Sequence, residues 1–128
     1  LYHSQSVEAL FFHVPGLKIV APSTPADCKG LLKAAIRDPD PVLFFEHKKS
    51  YRRIRGEVPD GDVTIPIGKA DIKRAGSDVT VVTYGVGVHL ALAAAEVVAG
   101  DGLSVEVLDL RTMAPFDREA IAASLEME

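Results

Sequence analysis

Between Ala21 and Val42 the chain carries a helix whose two ends are both set by local chemistry. Thr24 offers its hydroxyl at the N-cap, Pro25 stands at the first helical position, and Asp27 puts negative charge in the first turn. Cys28, Leu31, Leu32, Ala35 and Ile36 follow at i, i+3, i+4, i+7 and i+8, one apolar stripe of a surface-packed helix. Asp38-Pro39-Asp40-Pro41 ends it, because proline cannot continue a helix and pushes its predecessor out of the helical region. Short apolar runs flank the helix, Lys18 to Ala21 and Val42 to Phe45, and read as buried strands. Strand, helix, strand in this order predicts a parallel crossover, the building unit of an α/β sheet.

The pattern repeats downstream. Ala70 to Lys73 and Val79 to Tyr84 read as strands around a turn at Ala75-Gly76-Ser77-Asp78. Val86 to Ala99 is helical and apolar on nearly every side, so it is expected to be sandwiched between layers. Gly100-Asp101-Gly102 closes it, Val105 to Leu108 forms the next strand, and Asp117 caps a final helix. Upstream, Ser4 or Ser6 can cap a short helix through Val7, Leu10 and Phe11, stopped by Pro15-Gly16. Residues 47–66 lose all apolar periodicity and read as an exposed connector. The chain starts at Leu1 rather than Met, and its second unit stops on a single helix. Both ends are expected to continue in a longer protein.

Composition excludes several classes. The net charge of -4 argues against a general nucleic-acid binder, and the cations from Lys48 to Arg55 read as a solvated connector. A single cysteine cannot form an internal disulfide. The most apolar stretch, 86–99, is shorter than the roughly 20 residues of a membrane span and contains His89 and Glu96. No signal peptide is visible, so a soluble, cytoplasmic-type chain is expected.

Few local motifs carry chemistry. Gly85-Val86-Gly87 lies between a strand and a helix, but Leu90 stands where a dinucleotide loop needs its third glycine. Its glycines read as room for close helix packing. Cys28 lies on an apolar stripe and reads as core, and His89 as a satisfied core histidine. His13 reads as a helix-end residue. The four histidines lack the i, i+4 spacing of a helical zinc site. His3 differs, because Ser4-Gln5-Ser6 follows it at a helix start, where free amides favour anions and an imidazole can move protons near neutral pH.

Longer runs are more specific. They are Leu-Tyr-His-Ser-Gln-Ser-Val-Glu-Ala at 1–9, His-Val-Pro-Gly-Leu-Lys-Ile-Val at 13–20, Pro-Ser-Thr-Pro-Ala-Asp-Cys-Lys-Gly-Leu-Leu at 22–32, and Asp-Pro-Val-Leu-Phe-Phe-Glu at 40–46 before Tyr51-Arg52. Ile67-Gly68-Lys69-Ala70, Gly76-Ser77-Asp78-Val79-Thr80, Tyr84-Gly85, Val88-His89 and Val107-Leu108-Asp109-Leu110-Arg111-Thr112 continue the series. In this order and spacing the chain resembles, over its whole length, the beta subunits of thiamine-diphosphate-dependent 2-oxo acid dehydrogenases of the pyruvate, branched-chain and acetoin type.

That resemblance implies an α/β fold made of parts of two transketolase-like three-layer domains. Residues 1–46 would close the pyrimidine-binding domain, 47–66 connect the domains, and 67–128 form the first half of the C-terminal domain. It implies the decarboxylating component of a 2-oxo acid dehydrogenase complex, passing an acyl group to a lipoyl arm. Thiamine diphosphate and magnesium would be bound jointly with an alpha subunit in a two-alpha two-beta heterotetramer, docked on a lipoyl acyltransferase core. The expected setting is bacterial cytoplasm or mitochondrial matrix, with no nucleic acid and no membrane. His3 matches the family's active-site histidine, and Tyr2 and Gln5 flank it in the cofactor pocket. Asp38, with the carbonyls of Ala35 and Asp40, matches a loop that holds a structural monovalent cation, potassium, in some members. Val7 and His47 stand where the family usually has proline. The glutamate that activates the cofactor is expected upstream, so this stretch alone is not expected to be catalytic. Rival readings are a transketolase or deoxyxylulose-phosphate synthase relative, which shares the architecture, and a non-catalytic assembly fragment.

Overall fold

Lys18–Val20 (β1) and Val42–Phe44 (β2) pair in parallel across the helix Pro25–Arg37 (α2), so the crossover expected from the sequence forms. The computed structural model describes residues 5–126. Thr24 caps α2 as its chemistry requires, its hydroxyl accepting the Asp27 N–H at 3.1 Å, and Pro25 sits in the first turn. A short helix, Glu8–Phe12 (α1), precedes β1, and His13 forms its C-terminal boundary.

The second unit comprises Asp71–Arg74 (β3), Val79–Thr83 (β4), Val86–Ala99 (α3), Val105–Asp109 (β5), Thr112–Ala114 (β6) and Arg118–Leu125 (α4). Its sheet has the order β3-β5-β4, with β5 parallel to β4 and antiparallel to β3. Central β5 is buried at all five positions, including the charged Glu106 and Asp109. Val88 and Ala95 of α3 pack on Val105 and Val107 to form this unit's core.

Three residues after β5 the chain leaves that sheet. β6 pairs antiparallel with β1, giving the first sheet the order β2-β1-β6. Met113 thereby joins Ile19 and Ala21 in the first core. The sequence reading has no counterpart for this strand exchange. It makes one continuous structure of the two units.

Two helices depart from expectation. α3 is not sandwiched: Leu90 and Val97 are 64% and 75% exposed, because the described residues cover only the face turned to β4 and β5. On α2 the buried face runs through Asp27, Gly30 and Leu31, while Leu32 and Ile36 face outward. The reason is the connector, which lies along α2. Ile65 donates its N–H to the Gly30 carbonyl at 3.1 Å, and Lys33 and Arg37 both reach Asp62. Residues 47–66 are therefore exposed at most positions but anchored through Ile65.

Candidate functional site

Of the residues singled out from the sequence, Tyr2 and His3 lie outside the described residues. Gln5 is exposed, three positions ahead of Glu8, which opens α1. Ala35, Asp38 and Asp40 meet at the end of α2. There the Lys18 ammonium bonds both Asp38 carboxylate oxygens, at 2.7 and 2.8 Å, and stands 3.0 Å from Asp40. The Ala35 carbonyl accepts the Asp38 N–H. Hydrogen bonding to Lys18 holds the Asp38 carboxyl below its ordinary value, and the same contacts raise Lys18. Both aspartate side chains are thus already engaged by an internal cation. A monovalent ion at this loop would have to rest on carbonyl oxygens.

The structure gathers a different set of groups beside α1. Glu8, 5% exposed, meets His47 with 3.1 Å between Oε1 and Nε2. The other imidazole nitrogen, Nδ1, accepts the Val86 N–H at 2.9 Å. Glu8 also lines a cavity of about 340 Å³ with Ala9, Phe12, His13, Tyr84, Leu110 and Met113. Burial and the Glu8 charge push the Tyr84 hydroxyl above its usual value, so it stays a neutral hydrogen-bonding group.

A second constellation spans the junction between units. Asp27 receives Lys73 at 3.1 Å and Arg111 at 3.3 Å, while the Ser23 hydroxyl donates to Asp109 at 2.5 Å. Burial alone would raise the Asp27 carboxyl. The Thr24 hydroxyl and the charges of Lys73 and Arg111 outweigh it and hold the group below its ordinary value. Asp109 goes the other way, because burial outweighs its hydrogen bonds and pushes it up. Arg111 adopts φ +54°, a region costly for a residue with a Cβ, at the point where the chain passes from one sheet to the other. Its guanidinium offsets that strain by donating to the Lys69 and Ala70 carbonyls besides Asp27. His89 joins the same junction, 2.7 Å from the Ser23 carbonyl. It is a bonded histidine, as its position in an apolar helix suggested.

A cavity of about 250 Å³ is lined by residues that include Cys28, Glu46, Ser50 and Tyr51. The Cys28 thiol is pushed up by burial, then by the Glu46 and Asp27 charges, so it is not an activated nucleophile. Tyr51 donates to Glu46 at 2.8 Å. Among the described residues no group of three or more His, Cys, Asp or Glu could hold a metal ion, and no helix is long and apolar enough to cross a membrane. Sequence reading missed Glu8, Lys73, Asp109 and the seat of His47. The polar residues buried in apolar runs, Glu106 and Asp109 in β5, were the available signal.

Known proteins organise these observations. Residues 2–53 match the transketolase pyrimidine binding domain, and residues 68–128 match the transketolase C-terminal domain. The solved structure of a split gene transketolase, described as an inactive beta4 tetramer, superposes with a TM-score of 0.79 at 26% identity, covering 94% of this chain and 39% of that one. A transketolase from Pichia stipitis gives 0.64 at 18% identity over 93% of this chain and 18% of its own, a likeness of fold alone. The fold is thus that of transketolase-type domains. Within that class the chain's close homologues are beta subunits of 2-oxo acid dehydrogenases. It is 68% identical over 121 residues to the 2-oxoisovalerate dehydrogenase subunit beta of Bacillus subtilis, covering 94% of this chain and 37% of that protein. It is 54% identical over 124 residues to the pyruvate dehydrogenase E1 component subunit beta of the same organism, covering 97% of this chain and 38% of that one. The acetoin:2,6-dichlorophenolindophenol oxidoreductase subunit beta of Cupriavidus necator is also 54% identical over 124 residues, 97% of this chain and 36% of its own. The chain therefore spans little more than a third of the length of these relatives.

Proposed function

We propose that this chain is part of the beta subunit of a decarboxylating 2-oxo acid dehydrogenase component and that its substrate is a branched-chain 2-oxo acid. The observation that carries this is the 68% identity to a 2-oxoisovalerate dehydrogenase subunit, against 54% to a pyruvate and an acetoin enzyme. The same matches favour this reading over a transketolase, a deoxyxylulose-phosphate synthase or an assembly fragment.

Thiamine diphosphate would be held beside Gln5, an exposed amide, with Tyr2 and His3 next to it in sequence. When bound, the cofactor supplies the electron sink for loss of carbon dioxide. In this reading His3 orients the substrate or the lipoyl group and carries a proton, while Gln5 and Tyr2 hold the pyrimidine side. Magnesium and the diphosphate would be held by the alpha subunit. Potassium would sit on the carbonyls of Ala35, Asp38 and Asp40. The partners are that alpha subunit, in a two-alpha two-beta assembly, and a lipoyl acyltransferase core. The setting is bacterial cytoplasm or mitochondrial matrix.

The test is turnover by the full-length beta subunit with its alpha subunit, thiamine diphosphate and magnesium. Dichlorophenolindophenol serves as electron acceptor. Reduction should be faster with 2-oxoisovalerate than with pyruvate, and with a lipoyl domain supplied as acyl acceptor His3→Ala should slow acyl transfer by about 100-fold or more. Equal rates on ketose phosphates, or an unchanged rate for His3→Ala, would remove the assignment.

A further inference from the structure

His47 bonds three segments that are far apart in sequence. Its Nδ1 accepts the Val86 N–H, so the ring proton sits on Nε2 and is donated to Glu8 Oε1. Tyr84 tilts against the imidazole, with ring centroids 6.0 Å apart. The seat is built to measure: Gly85 adopts φ +53°, and a Cβ there would stand 2.7 Å from Cε1 and Nδ1 of His47. The Gly85-Val86-Gly87 motif thus makes room for an imidazole rather than for a nucleotide.

Glu8 depends on this ring. The carboxylate is buried, and its Oε2 has no hydrogen-bond partner among the described residues. His47 is therefore the one described side chain that fixes its orientation. Leaving such a group wholly unpaired is strongly unfavourable, so without the imidazole Glu8 would move toward water and the start of α1 would move with it. Glu8 follows His3 by five positions and Gln5 by three.

We propose that His47 is a positioning residue. Through Glu8 it holds the start of α1, with Gln5 three positions ahead of it, in register with α3 and the second unit, so that the reaction geometry is set across the junction. This rests on the function proposed above. A displacement of about an ångström at reacting groups costs roughly 100-fold in rate, so the device acts on turnover rather than on folding alone.

The test uses the full-length beta subunit assembled with its alpha subunit, thiamine diphosphate and magnesium. His47→Asn keeps an acceptor for Val86 but cannot reach Glu8. His47→Gln reaches Glu8 but gives up Val86. His47→Asn should lower kcat for 2-oxoisovalerate by roughly 10- to 100-fold with KM changed less than about twofold, well below the melting temperature. His47→Gln should restore most of the loss. Nitrogen-15 NMR of labelled histidine should show His47 as the Nε2–H tautomer, with slow exchange of the Val86 amide that His47→Gln abolishes. A wild-type kcat in His47→Asn, or an Nδ1–H tautomer, overturns the proposal. If the wild-type complex does not turn over 2-oxo acids, the functional reading falls, and the tautomer and amide exchange still decide whether His47 makes the link.

Discussion

Lys73 and Asp27 meet across the junction of the two units, Nζ to Oδ2 at 3.1 Å, with the aspartate 2% exposed. Asp27 comes from the first turn of α2 and Lys73 from the edge strand β3, and Arg111 adds a second cation to the same carboxylate. Removing the anion leaves two largely buried cations with Asp71 as a partial substitute, 2.7 Å from Lys73 and 3.8 Å from Arg111. Asp27→Asn should therefore destabilise the chain by about 3 kcal/mol, the low end for breaking a buried pair. Urea unfolding at neutral pH measures it. A loss under about 1 kcal/mol would show that the junction does not depend on this carboxylate.

The same residue predicts an acid dependence. Its folded-state pKa lies below the ordinary 3.8, so the stability it confers is present in full above that pH. That stability is lost as pH falls below 3.8 toward the folded-state value. The gap between wild type and Asp27→Asn should narrow from pH 7 to pH 3. A gap that widens on acidification has the wrong sign for an ionised, paired aspartate.

Gly30 gives a steric prediction. A Cβ added there would lie 2.6 Å from Ile65 Cγ1 and 2.8 Å from Cδ1, where the connector docks on α2. Alanine gains about 1 kcal/mol of helix propensity, but overpacking costs roughly 1–3 kcal/mol. Gly30→Ala should thus be neutral to destabilising, whereas in an Ile65→Ala background it should stabilise. A double-mutant cycle by chemical denaturation reads the coupling, and additive effects would mean the connector does not sit on this face.

How much of this could be read in advance differs by residue. The ends of α2 were legible because Thr24, Pro25 and the Asp-Pro repeat act on their own neighbours. Asp27 was legible as a first-turn acid, but its service to Lys73 and Arg111 was not, since those partners lie 46 and 84 residues away. β6 escaped notice because Thr112–Ala114 is too short to show alternation and pairs with a strand of the other unit. The exposed side of α3 was misread because an all-round apolar helix gives no sign of which face is covered. Glu8 and His47 each looked ordinary, and only the fold brings them together. His3 rose above the other histidines through the run of residues around it, not through spacing.

Asp109 should behave opposite to Asp27. It is fully buried at the end of β5, with Ser23 donating to Oδ2 at 2.5 Å and the Arg111 N–H to Oδ1 at 3.0 Å. Lys73 is its nearest cation at 3.8 Å. Burial raises its pKa, so the folded chain holds the proton more tightly than the unfolded one. The ionised form then lowers stability as pH rises from 3.8 through the folded-state value. Asparagine has the same shape, can accept from the Arg111 N–H, and can donate to a rotated Ser23 hydroxyl. It also avoids burying the charge. Asp109→Asn should therefore cost less at pH 7 than at pH 4, and at pH 7 less than about 1 kcal/mol, the scale of one neutral hydrogen bond. Paired denaturation curves at the two pH values test this. A larger cost at pH 7 would mean that Asp109 works as a charged partner of Lys73 rather than as a buried hydrogen-bonded group.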